Sequence, residues 1–400
     1  MADIKNYMKE KARREQKQDG YREKIARHRM AVFYRILGIG VFLAIVAAFF
    51  YIQYKRRIYI DYDIIASVNR ETISGTTDVR MGNAVLTYSK DGAHCTNEKG
   101  NVNWNQTFQI QDARLSVSGD TVAIGDYNGR SIFIADTEKL TGEITTAMPI
   151  RDLAVSEAGY VTAVLEDGEI TWVNTYNSSG ELEREGRTHM DDSGYPMAVS
   201  MSPGGELLAV AYVYVDAGVL KTRIAFYNFG AVGSNVSDFL VSSWVYTDML
   251  IPYVRFMNDN ISFAVGDSRL MIYSGGHIPG PAAEHLYDRE VQAVFYNERY
   301  IGLVFFSDKS ESRYQLDVYD TANVNSKAKN FYFDLDYTDI FFGKGNVVIY
   351  NETECQVMTM DGTEKYHGNF RKPVRLMVPT GSAYKYLLIT DDTMDTIQLK

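Results

Sequence analysis

The chain has 400 residues, 46% of them hydrophobic, with 29 Tyr and only 8 Pro, which is enough to bury a large core and excludes a disordered chain. Its net charge of −10 divides unevenly: residues 1–57 hold 14 Lys/Arg against 5 Asp/Glu, and residues 58–400 hold 27 against 46. So acidic a body repels phosphate, which argues against nucleic acid as a partner.

Residues 1–30 are charged and rich in helix formers, and read as a basic cytoplasmic tail. They form a solvated helix or disordered segment, or else a basic strip that meets anionic lipid or an intracellular partner. From Ile36 to Ile52 come 17 uncharged residues, ILGIGVFLAIVAAFFYI. Extended to residues 31–54, with Arg35 snorkelling, the segment spans a hydrocarbon core of roughly 30 Å. It is apolar all round, so no face is left for water. Tyr34, Tyr51 and Tyr54 suit the two interfaces. Gln53-Tyr54-Lys55-Arg56-Arg57 follows in place of a small-residue cleavage site, so a retained signal anchor is expected. Lys17, Arg22, Lys24, Arg27, Arg29 and Arg35 precede the span, against Lys55, Arg56 and Arg57 after it. That bias places the N-terminus in the cytoplasm and the acidic body outside. Residues 55–61 then form a juxtamembrane linker.

Residues 62–400 show no amphipathic helix. They repeat a unit: a short strand, a strongly apolar strand, a Gly/Asp/Asn turn and an alternating strand. First strands fall at Val79, Leu115, Leu153, Val199, Val254, Val294, Ile340 and Leu376, spaced by 36, 38, 46, 55, 40, 46 and 36 residues. Those periods suit propeller blades of four strands. The apolar second strands include Ala84–Tyr88, Leu207–Tyr212 and Tyr300–Phe306, and the third strands include Ser131–Asp136 and Arg269–Ser274. The expected fold is therefore all-β: a β-propeller of eight four-stranded blades, preceded by one transmembrane α-helix. Seven blades are the alternative, because of the 55-residue interval after Val199. The last unit stops at its third strand, so the strand-like stretch Asp61–Val68 is expected to supply the missing outer strand and close the ring.

Several motifs carry a resemblance. Val199-Ser200-Met201-Ser202-Pro203-Gly204-Gly205-Glu206-Leu207-Leu208-Ala209 resembles the turn between first and second strands of WD40-type propellers. Gly100-Asn101-Val102-Asn103-Trp104, Thr141-Gly142-Glu143 and, more weakly, Asp361-Gly362-Thr363-Glu364 resemble the repeat of quinoprotein-like propellers. No Trp-Asp pair closes a blade, and no motif locates residues that would hold a quinone. The layout also resembles single-pass, membrane-anchored propeller proteins of Gram-positive bacteria, which implies a surface location and no particular activity.

No nucleophile elbow, P-loop, HExxH or CxxC motif occurs, so no catalytic, cofactor-binding or metal residue is assigned and no cofactor is expected. His189-Met190-Asp191-Asp192 offers metal-ligand chemistry, but such residues in a loop read as a solvated turn. Asp334, Asp336 and Asp339 lack the glycine and distal glutamate of a calcium loop. Asp391, Asp392 and Asp395 suit a tight turn between strands. Trp104, Trp172 and Trp244 are expected between blades, with an aromatic sugar platform as the alternative, and His277-Ile278-Pro279-Gly280-Pro281 is expected as a stiff loop, either projecting from one face to bind or acting as a spacer. Cys95 and Cys355 are too few for a disulfide framework; they are bridged to each other or are buried thiols. The function expected is a non-enzymatic binding or scaffold module at the cell surface, anchored through residues 31–54 and meeting a protein or envelope partner. The alternatives are a ligand sensor signalling to the basic tail and a quinone-dependent or hydrolytic enzyme.

Overall fold

The computed structural model describes residues 2–168, 170–189 and 194–400. It divides into two units, residues 1–58 and residues 59–400.

The first unit is one helix, Ala2–Arg56. Sequence composition divides it at residue 30, yet the structure carries the basic and apolar parts on one continuous rod. His28–Tyr51 is the stretch long and apolar enough to cross a membrane, offset by three residues from the span read in the sequence. Tyr59 already belongs to the second unit, where its N–H donates to the Lys365 carbonyl at 2.7 Å.

The second unit is a β-propeller of eight four-stranded antiparallel blades. Blades 1–7 each use four consecutive strands. Every first strand contains the residue that marked it in the sequence, from Val79 in Thr77–Met81 to Leu376 in Leu376–Pro379. First strands lie against one another between blades 2 and 3, 3 and 4, 4 and 5, 6 and 7, and 8 and 1, so they line the inside of the ring. The second strands are buried almost throughout; Ala84–Tyr88 and Tyr300–Phe306 are examples. That is why they read as uninterrupted apolar runs rather than alternating ones.

The 55-residue interval that allowed a seven-blade count is one enlarged blade. In blade 4 the second and third strands, Leu207–Asp216 and Val219–Asn228, are ten residues each. Two short 3-10 turns, Gly233–Asn235 and Ser237–Phe239, lead to the outer strand, Leu240–Thr247.

Eight apolar clusters hold the ring, each between two neighbouring blades. The cluster between blades 8 and 1 is the smallest, with Val85, Leu376, Val378, Leu387, Ile389 and Met394. Blade 8 takes its outer strand from the other end of the propeller: Tyr62–Asn69 pairs with Thr393–Leu399, matching Tyr62 with Leu399 and Ile64 with Ile397. Lys400 Nζ reaches Asp63 at 2.5 Å, and the Lys400 N–H donates to the Asp61 carbonyl at 2.9 Å.

Where apolar contact is least, a buried ion cluster joins the blades. Asp78, on the first strand of blade 1, has a fully buried side chain. Arg70, from the segment after the closing strand, reaches it at 2.5 Å, and Arg375, just before blade 8, at 2.7 Å. Thr87 Oγ1 donates to it at 2.6 Å. Elsewhere, first strands are linked through hydroxyls: Ser116 Oγ accepts from Val155 N at 3.0 Å, and Ser200 Oγ from Phe256 N at 2.9 Å.

Three of the four motifs that resemble other propellers sit at contacts between blades, while Asp361–Glu364 bonds within blade 7. Trp104 Nε1 donates to the Asp136 carbonyl at 2.7 Å and Asn103 Nδ2 to Thr137 at 2.7 Å. A Cβ at Gly142 would stand 2.5 Å from the Ser178 carbonyl of the next blade, so only glycine permits that approach. In the Ser-Pro-Gly-Gly turn, Ser202 Oγ accepts from Leu207 N at 3.1 Å, and Gly204 N donates to Asp259 of blade 5 at 2.7 Å.

Candidate binding cleft and central channel

The residues singled out in the sequence are mostly structural. Asp334 accepts from Arg313 N at 2.8 Å, and Asp336 pairs with the Arg313 guanidinium at 2.5 Å. Asp339 lies on the first strand of blade 7. Asp391 pairs with Arg375 at 3.1 Å and Asp392 with Lys372 at 3.8 Å. Asp395 is not in their turn: it sits on the third strand of blade 8, where Ser67 Oγ of the closing strand donates to it at 2.5 Å.

The His277–Pro281 segment does not project. Its His277 carbonyl accepts from Asn228 Nδ2 at 3.0 Å and its Pro279 carbonyl from Ser242 Oγ at 2.6 Å, both on blade 4. Pro281 falls on the outer strand of blade 5, where a missing N–H costs no ladder bond. Trp172 packs against the core between blades 2 and 3, whereas Trp244 lies on the outer strand of blade 4 with 39% of its surface exposed. His189 ends the outer strand of blade 3, and Met190, Asp191 and Asp192 lie outside the described residues. Among the described residues, no group of three His, Cys, Asp or Glu side chains is placed to hold a metal ion. Cys95 and Cys355 are free thiols, buried in the cores between blades 1 and 2 and between blades 7 and 8.

Two features escaped the sequence reading. The first is a charged inner ring. Asp152 on blade 3 interacts with Arg255 of blade 5 and Arg114 of blade 2, and Arg80 of blade 1 interacts with Asp339 of blade 7. All five residues are on first strands, and two of the pairs, blade 3 with blade 5 and blade 1 with blade 7, skip a blade, which places them around the centre of the ring. Burial raises both carboxyls above the usual range, outweighing the arginines and the hydrogen bonds they accept. A raised folded-state value means that the carboxylate charge costs stability at neutral pH; the cost fades as pH falls through that value toward the ordinary one. Asp152→Asn is therefore expected to raise the melting temperature at pH 7.5, with a gain that shrinks steadily on acidification. Melting curves across that range check it; a gain independent of pH would contradict the assignment.

The second feature is a cleft of about 380 Å³ between blades 3 and 4. Its floor is the outer end of the core between those blades, with Val173, Leu208 and Tyr212. The hydroxyls of Tyr212 and Tyr227 lie 3.1 Å apart. Arg184, from the outer strand of blade 3, stands over the Phe239 ring at 5.2 Å; Arg223, from the third strand of blade 4, stands over Tyr212 at 5.1 Å. Asp238 and Phe239 complete the wall, and both adopt left-handed backbone, φ 57° and 60°. Two such residues in succession without glycine are strained, a state typical of functional sites. These residues come from two blades and span Val173 to Phe239, so no local motif announces them.

No curated protein matches the sequence significantly. Among solved structures the chain is similar to Sqt1 from Chaetomium thermophilum, with TM-score 0.54 and 13% identity over 85% of this chain and 100% of that one. It is also similar to Porphyromonas gingivalis dipeptidyl peptidase 4, with TM-score 0.54 and 12% identity over 82% of this chain and 58% of that one. BamB from Moraxella catarrhalis matches with TM-score 0.48 and 9% identity over 85% of this chain and all of that one. At these identities the likeness concerns the fold alone. A family model described as "Family of unknown function (DUF5711)" matches residues 54–399, and the chain belongs to that family.

Proposed function

We propose that the chain is a non-enzymatic binding or scaffold module, held at the outer face of the cell membrane by its helix and presenting the propeller to a protein or cell-envelope partner. The observation that carries this reading is the charge contrast about the apolar segment: a basic stretch before it and an acidic ring after it, with more Lys/Arg on the N-terminal flank. A closed ring supports it as well. Closure leaves broad loop-built faces and clefts between blades on a rigid scaffold, which is where binding resides.

A second reading, a ligand sensor reporting to the cytoplasm, is favoured by one observation: the helix runs unbroken from Ala2 to Arg56. Deleting residues 2–27 separates the two. The test is an amine-reactive, membrane-impermeant crosslinker applied to intact cells that carry the parent or the shortened chain. A binding module gives the same discrete adduct, and the same cellular phenotype, with either chain. Loss of the phenotype with an unchanged adduct identifies the sensor. No adduct with the parent chain contradicts the binding reading.

A further inference from the structure

We propose that the cleft between blades 3 and 4 binds a carboxylate carried on an apolar body, such as the C-terminal residue of a peptide or a free small acid. The inference rests on the ring being a binding module and specifies what one site on it takes.

The chemistry follows from the wall and the floor. The Arg184 guanidinium has the Phe239 ring beneath it, which fixes its plane, and Arg223 stands likewise over Tyr212. Arg184 is under-used by the protein: Nη1 donates to the Glu183 carbonyl at 2.7 Å, but Nε is buried without an acceptor. A buried donor in that state calls for one, and a planar carboxylate matches the two-pronged edge of arginine better than a tetrahedral anion does. The floor of Val173, Leu208 and the tyrosine rings offers no charge, so the rest of the ligand must be apolar. The volume falls within the range of small-ligand sites.

Charge makes the site selective. Three arginines, Arg184, Arg187 and Arg223, line the cleft with two carboxylates, Glu185 and Asp238, in a propeller that is otherwise strongly acidic. A second groove of about 200 Å³ shares Arg184 and Phe229 with the cleft and runs toward the Gly204–Gly205 turn, between Glu183 and Glu206. A peptide with its terminal carboxylate at the arginines would leave along this groove, where the two glutamates favour neutral or basic residues.

The test is calorimetric titration of the full-length chain in detergent micelles with N-acetylphenylalanine, its amide, a tetrapeptide ending in free phenylalanine, and inorganic phosphate. The expected result is saturable binding of the acids, at least tenfold weaker binding of the amide, and no competition from phosphate. Arg184→Gln should weaken the acids tenfold or more while leaving the melting temperature unchanged. The amide arm tests the same point on a wild-type fold. A tetrapeptide tighter than the free acid assigns the site to peptide termini, and equal affinities assign it to small acids. Equal binding of acid and amide, displacement by phosphate, or no saturation at millimolar concentration overturns the proposal. Those failures leave the surface crosslink intact, whereas a missing crosslink with intact acid binding removes only the wider functional reading.

Discussion

Asp78→Asn is expected to destabilise the propeller by about 3–5 kcal/mol, the cost of leaving buried cations without their counter-charge. Arg70 and Arg375 converge on this one carboxylate at 2.5 and 2.7 Å, and Arg70 keeps only 10% of its side chain exposed. The three residues belong to the segment after the closing strand, to blade 1 and to the entry of blade 8, so the cluster spans the joint where the apolar cluster is smallest. On a domain of this size the loss lowers the melting temperature by roughly 4–7 °C. Arg313→Gln serves as the control: it removes an ion pair with Asp336 in which both side chains are more than half exposed, and should cost no more than about 1 kcal/mol. Thermal melting of the two variants checks the contrast, and equal small losses would show that the cluster at the joint is energetically idle.

Deleting residues 395–400 is expected to have a larger effect still. The deletion removes Ile397 and Leu399, both buried in the core between blades 7 and 8, together with most of the ladder that binds Tyr62–Asn69. Two buried aliphatic side chains alone account for roughly 4–10 kcal/mol when cut away. The closing strand would also lose its place, leaving an open edge on blade 8. The expected outcome is loss of a cooperative unfolding transition. A milder variant, Lys400→Ala, removes only exposed ion pairs with Asp61 and Asp63, and should melt like the parent. An unchanged transition after the six-residue deletion would contradict closure by the N-terminal strand.

Most of the ring was legible because a propeller repeats one local rule. Each second strand is covered on both faces, so it must be apolar throughout, and runs such as Ala84–Tyr88 and Tyr300–Phe306 declare themselves. The turns declare themselves too, through Gly and Asn. Blade 4 blurred the count because its ten-residue strands and irregular connection lengthen one repeat without adding a strand to the ring. What the sequence concealed depends on contacts between blades. Arg70, Asp78 and Arg375 are separated by up to 305 positions along the chain, and only ring closure brings them together. The cleft arginines sit on different blades, and nothing around Arg184 or Arg223 differs from an ordinary exposed strand position. The His277–Pro281 segment reads as a free loop because proline and glycine record stiffness and turning, not the hydrogen bonds to Asn228 and Ser242 that fix it.

The placement of the acidic ring outside the membrane is tested most directly by labelling a single introduced thiol. Ser310 lies exposed in the turn between the second and third strands of blade 6. The native thiols give no background: both are buried, and burial pushes Cys95 up to about 12 and Cys355 higher still. In intact cells, Ser310→Cys should react with a membrane-impermeant maleimide as fully as it does after lysis, while the parent chain stays unlabelled in both. Labelling that appears only once the cells are broken would place the propeller in the cytoplasm and contradict the account.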